Sequence, residues 1–286
     1  MLSIAFASVL AAGRLFRAVF ACMLLVPFVA ARAELMLHPT RIVFDNNTRA
    51  AQIELINTGS KPASYRMSLV NRRMTEAGQF EAAETAQDGE RFADPMLRYS
   101  PRQITLQPGT AQTVRVMLRK PAELAAGEYR SHLQFDKLPE VEGRASIESK
   151  GADPTRIGVV LNALVGASVP VIVRHGAADA SIALAGLALR KDEAGRDQLV
   201  LQFERAGGNS VYGDVSVTFT PGSGKPHTLA RISGIAVYTP NRVRKATLAL
   251  DVPAGLALAG GLLEVSYRDR PEAGGKLLAQ ASLHLP

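Results

Sequence analysis

The side chains that most often carry chemistry are scattered through this sequence. Five histidines, His38, His132, His175, His227 and His284, include no pair at metal-ligand spacing. The stretch GNSVY at 208–212 is only half of a Gly-x-Ser-x-Gly nucleophile elbow. The stretch GSGK at 222–225 is flanked by prolines and opens no helical pattern, which a phosphate-cradling loop requires. The acids Glu76, Glu81, Glu84, Asp88, Glu90 and Asp94 are too spread for the compact oxygen cage of calcium and read as a solvated loop. The basic cluster RVRK at 242–245 reads as a strand end facing water. From these residues no catalysis, cofactor or metal is expected.

One segment offers a different chemistry, that of main-chain pairing. Every odd position of residues 157–173 is apolar: Ile157, Val159, Leu161, Ala163, Val165, Ala167, Val169, Val171 and Val173. The even positions mix Gly158, Asn162, Gly166 and Ser168 with Val160 and Leu164. A strand of that span far exceeds the usual run of about 5 or 6 residues. A helix is a poor fit, because Val and Ile dominate and glycines interrupt. Two readings stay open. The segment is a central strand buried on both faces, or some of its odd side chains project into another polypeptide's unfinished core. In the second case main-chain hydrogen bonds supply affinity and alternate side chains fill pockets.

The rest of the chain supplies strands to hold that segment. Short apolar and β-branched runs recur at 41–44, 51–56, 65–70, 113–118 and 129–135, with turn signals such as QPG at 107–109 between them. After HGAAD at 175–179, which reads as a linker, a second strand-rich half runs to the end. Short strands with Gly and Pro turns predict an all-β fold of sandwich type.

Composition excludes several classes. The chain has 286 residues, one cysteine and 47% apolar residues, so neither a disulfide scaffold, a Cys-rich zinc module nor a disordered chain fits. Its net charge is +7, but Arg14, Arg17 and Arg32 lie in an acid-free start. There a basic flank, an apolar run at 18–29 and ARA at 31–33 predict a secretory signal peptide over residues 1–33, cleaved before Glu34. The apolar run is too short to span a bilayer, so no stable membrane insertion is expected. Cleavage takes the charge from +7 to +4 and removes Cys22. Residues 34–176 then hold 18 basic and 16 acidic residues, and 177–286 hold 12 and 10, so no nucleic-acid face is expected.

Several runs resemble PapD-like periplasmic pilus (fimbrial) assembly chaperones, in a divergent form. They are LHPTRIVF at 37–44, SPRQITLQPG at 100–109, QTVR at 112–115, GEYRS at 127–131 and the long alternating strand. The resemblance is good over residues 35–174 and thin beyond. It implies two immunoglobulin-like β-sandwich domains in a boomerang arrangement, an N-terminal one over 34–174 and a C-terminal one over 175–286. It implies a periplasmic chaperone, not an enzyme, that caps pilin subunits by donor-strand complementation and delivers them to an outer-membrane usher. The donor side chains would be Val159, Leu161, Ala163 and Val165. Arg41 would anchor the subunit's C-terminal carboxylate, since a guanidinium grips a carboxylate bidentately. The family's second anchor, a lysine, falls on Pro170, and Arg130 is the candidate substitute. The family's interdomain ion pair is not expected, because Arg174 matches its arginine while Arg130 stands at the glutamate position. Alone, the protein must hide its apolar strand, either under residues 139–154 or by self-association. The alternative is a periplasmic immunoglobulin-like binding module that donates no strand.

Overall fold

The computed structural model of the protein describes residues 34–45, 47–139 and 166–286. The predicted signal segment, the donor positions Val159, Leu161, Ala163 and Val165, and residues 140–154 of the predicted cover lie outside the described residues. What is described is nearly all strand. The first half comprises β1 (Leu35–His38), β2 (Ile42–Phe44), β3 (Ala50–Asn57), β4 (Ala63–Val70), β5 (Arg72–Met74), β6 (Phe80–Ala82), β7 (Leu97–Ser100), β8 (Gln103–Leu106), β9 (Ala111–Leu118), β10 (Gly127–Lys137) and β11 (Gly166–His175). The second comprises β12 (Ala180–Lys191), β13 (Asp197–Gly207), β14 (Val211–Pro221), β15 (His227–Val237), β16 (Val243–Ala249), β17 (Gly261–Asp269) and β18 (Leu277–Leu285).

In the first half a sheet ordered β1-β3-β9-β7 faces one ordered β2-β11-β10-β4-β8. Alternation decides which side chains meet between them. In β9, Val114, Val116 and Leu118 point inward while Arg115 and Met117 point out. Ile53 and Leu55 of β3 and Phe44 of β2 join the same core, each with no exposed surface. Burying such a side chain contributes about 1.5–3 kcal/mol, so the inward rows hold the sheets together. The predicted turn at Gln107-Pro108-Gly109 forms as its residue types require. Thr110 N–H donates to the Gln107 carbonyl at 3.1 Å, and Gly109 takes φ +70°, which a side chain would disfavour.

The second half repeats the scheme with sheets ordered β12-β13-β16 and β15-β14-β17-β18 around a separate core that includes Phe203, Phe219 and Tyr267. A bulge at Ala185–Ala188, where Gly186 adopts φ +64°, lets β12 turn past β13. Residues 176–179 lie between β11 and β12, where the linker was expected.

One expectation is refined and one corrected. The acidic stretch, which reads as a long loop or loose hairpin, pairs β5 with β6 as a hairpin; Glu76, Glu81, Glu84 and Asp88 are exposed, and Arg73 holds Glu90 in an ion pair at 2.6 Å. The basic cluster does not all face water. Arg244 is largely shielded and donates to the Ala236 carbonyl at 2.6 Å, and Lys245 pairs with Glu76 of the hairpin at 2.7 Å. Arg244 finds its partner within the second half, while Lys245 reaches across to the hairpin loop.

Candidate functional site

The site forms where the outer face of the β2-β11-β10-β4-β8 sheet meets β14, β15 and the turn that follows β15. Pairing fixes who stands beside whom. Val171 of β11 pairs with Ile42 of β2, and Pro170 pairs with His132 of β10. Arg41 and Pro170 each precede their paired neighbour by one residue, so Arg41, Pro170 and His132 form one row across the sheet. Ile172 sits opposite Arg130, and Glu128 opposite Arg174, two and four residues along.

Alternation puts Val169, Val171 and Val173 into the sandwich's own core, all at 1% exposure or less. The odd face of the long segment is therefore filled internally at its described end. The even face turns outward. Ile172 packs there with Met74, Ala236 and Tyr238 in a small apolar cluster between the halves.

Around that cluster lie the charged groups. Glu128 has no exposed side-chain surface, yet its carboxylate is fully satisfied. It accepts from Arg174 Nε at 3.1 Å, from Ser210 N–H at 3.0 Å, from the Ser210 hydroxyl at 2.9 Å and from Thr239 Oγ1 at 3.3 Å. Arg174 also donates to the Ser210 carbonyl at 3.0 Å. The absent ion pair is thus a misplacement: Arg174 has its glutamate, two residues before Arg130. Placed on one strand face, Glu128 and Arg130 share a side of the sheet, so a shift of two keeps the orientation and moves the row.

Arg41 reaches across as well. Its Nη2 donates to Ser210 Oγ at 3.2 Å, and its guanidinium lies 4.6 Å from the Tyr212 ring centre and 5.6 Å from that of Tyr238. Its Nε and Nη1 are buried with no hydrogen-bond partner among the described residues. Burial lowers the guanidinium's pKa, with nearby Tyr238 and Glu128 acting in opposition. A cavity of about 500 Å³ opens beside it, lined by Arg41, Arg174, Tyr212, Asp45, Arg270 and Glu272. Arg270 is already bound to Asp214 and Glu272, each at 3.0 Å. Arg41 is thus a stacked cation beside a cavity, with two buried donors left unpaired among the described residues.

Arg130 is held more fully. It stacks 4.5 Å from the Tyr238 ring centre and donates to the Thr239 and Arg72 carbonyls at 3.1 and 3.2 Å. Arg41, just before β2, and Arg130, on β10, therefore both lie against one tyrosine ring, with β11 between their strands. His132, beside Pro170, is 1% exposed, and neither ring nitrogen has a hydrogen-bond partner among the described residues. Burial, then the charges of Arg130 and Arg72, push its pKa down to about 3, so it stays neutral. Phe80 of the hairpin caps it edge-on at 5.1 Å.

Sequence reasoning missed Glu128, His132, Ser210, Tyr212 and Tyr238. Only Glu128 and His132 carried a local signal, sharing alternate positions with Arg130 on a strand already identified. The other three come from the second half, where no motif marks them. Among the described residues no group of His, Cys, Asp and Glu is placed to hold a metal, and no helix is long and apolar enough to cross a membrane.

Comparison with known proteins gives a family match over the first half. Residues 34–174 match the family described as pili and flagellar-assembly chaperone, PapD N-terminal domain. No curated protein sequence matches the chain. Among solved structures, the YadV chaperone is 13% identical with TM-score 0.44, covering 88% of this chain and 100% of its own. A chaperone–tip adhesion subunit pre-assembly complex (CsuC–CsuE) of Acinetobacter baumannii archaic Csu pili is 14% identical with TM-score 0.45, covering 89% and 100%. A Salmonella enterica SafA pilin–SafB chaperone complex is 15% identical with TM-score 0.40, covering 89% and 97%. Likeness at that level is too loose to fix a function.

Proposed function

Through residues 34–174 the chain belongs to the PapD-like pili and flagellar-assembly chaperones, and on that premise we propose that it binds pilin subunits in the periplasm, caps them by donor-strand complementation and passes them to an outer-membrane usher. In this reading residues 1–33 are a signal peptide removed before Glu34, residues 34–174 form the chaperone domain and 175–286 the second domain. Val159, Leu161, Ala163 and Val165 fill the subunit's groove, and Arg41 receives the subunit's C-terminal carboxylate.

The observation that carries the reading is Arg41. A buried guanidinium with two unsatisfied donors is costly unless a partner arrives, because unpaired buried polar groups lose their hydration without return. A carboxylate reaching the guanidinium accepts a charge-assisted hydrogen bond, about twice as strong as a neutral one. Arg130, which donates to two carbonyls, contributes positive field rather than a free fork.

Co-expression with the cognate pilin tests this. Arg41→Ala is expected to abolish co-purification of the subunit while the chaperone still folds. Capture at the wild-type yield would refute the anchor. A second reading, an immunoglobulin-like module that donates no strand, draws on Val169, Val171 and Val173, which serve the protein's own core. A protein that stays monomeric beside abundant pilin would favour it.

A further inference from the structure

Far from the Arg41 cavity, the outer face of the β1-β3-β9-β7 sheet carries a hollow of about 500 Å³ walled by arginine. The strand pattern builds it. On β9, Arg115 and Met117 point outward between inward Val114, Val116 and Leu118. Met117 sits opposite Ala50 on one side and Arg98 on the other, and the small Ala50 side chain leaves space beside it. Arg49 and Arg119 close the ends. Met117 is 43% exposed at the centre, a large apolar side chain left in water.

No carboxylate lines this hollow, and none of Arg49, Arg98, Arg115 and Arg119 forms an ion pair among the described residues. Like charges on neighbouring strands repel and destabilise a sheet. Here four of them ring one thioether, and Glu54 of β3, on the same face, stands one outward pair further along, opposite Thr113. We propose that this face docks an extended acidic segment of a partner protein, with carboxylates at alternate positions gripped by the arginines and an apolar side chain seated on Met117.

The chemistry selects that occupant. Residues 115 and 119 are separated by roughly 13 Å of extended chain, about the span of carboxylates at positions i, i+2 and i+4 of a strand. Guanidinium groups match carboxylates fork to fork. A membrane surface would call for a broad apolar face with several large side chains, and this hollow offers one. A single-stranded nucleic acid would call for aromatic platforms, and none lines it. The assignment is independent of subunit capping, since none of these residues adjoins Arg41.

The test is calorimetric titration of the full mature chain with a blocked peptide of alternating glutamate and leucine. Saturable binding is expected, weakened about tenfold by Arg115→Glu or by Arg119→Glu, and about tenfold by raising salt from roughly 0.05 to 0.5 M. Met117→Ser should also weaken it severalfold. Arg115→Glu should leave Arg41-dependent pilin capture intact, so failure here is distinguishable from failure of the chaperone reading. Absence of binding, equal binding by the charge-reversed variants, or equal binding of a lysine–leucine peptide would overturn the proposal. So would binding of anionic phospholipid vesicles by a chain that ignores the peptide.

Discussion

Arg174 Nε lies 3.1 Å from the carboxylate of Glu128, and both groups close on Ser210 of the other half of the protein. The pair belongs to adjacent strands of one sheet, yet its other side-chain hydrogen bonds reach across to Ser210, just before β14, and to Thr239, after β15. A charge pair so placed ties two cores together.

Breaking that tie from the acid side leaves Arg174 without its ion-pair partner among the described residues. Glu128→Ala is expected to cost about 3–5 kcal/mol, the usual penalty for removing one partner of a buried pair. A urea melt reads it, and a loss below about 1 kcal/mol would mean that the pair is not structural. Lys245→Ala should behave oppositely. Its bond to Glu76 is exposed on both sides, at 58% and 61%, and such pairs contribute about 0–1 kcal/mol.

His132 predicts an acid sensitivity. Its pKa in the folded protein, about 3, lies below the ordinary 6.5, so the unfolded chain binds the extra proton between those values. The stability this group contributes is present above pH 6.5 and falls as pH drops toward 3, by at most about 1.4 kcal/mol per pH unit. His132→Phe, apolar against Phe80, should flatten that slope and leave neutral-pH stability nearly unchanged. An identical slope in the variant would assign the acid sensitivity to other groups.

How much of this was legible in the sequence depends on what each residue faces. Alternation in Val114 to Leu118 and in Ile53 to Leu55 identifies strands and their inner faces, because burial on one side enforces period two. The turn at Pro108-Gly109 is legible because its φ values are local. The long alternating segment misleads in part. Its odd side chains at 169–173 fill the home core, and a period-two pattern does not say whose core is filled. Glu128 was misplaced by one pair in the row, a slip that preserves the face and so leaves no trace in the pattern. Ser210, Tyr212 and Tyr238 were illegible, since their role arises only from the contact between halves.

The same segment should divide in function along its length. Val169→Ala, which empties space in the home core, is expected to cost about 1–3 kcal/mol of stability with subunit capture preserved under folding conditions. Leu161→Asp should leave the melt unchanged and lose capture, because the charge would be buried in the subunit's groove without a partner. If both variants lost stability equally, residue 161 would belong to the home core too.

Strand donation itself is most directly read by cross-linking. The sequence after residue 33 contains no cysteine, so a single one can be placed at Leu161 and another in the pilin's groove. In the oxidising periplasm, Leu161→Cys is predicted to give a disulfide-linked chaperone–pilin species, and Asn162→Cys, on the opposite face, is predicted to give little. Equal cross-linking at both positions, or none at Leu161 from a protein that still captures pilin, would contradict donation through the odd face.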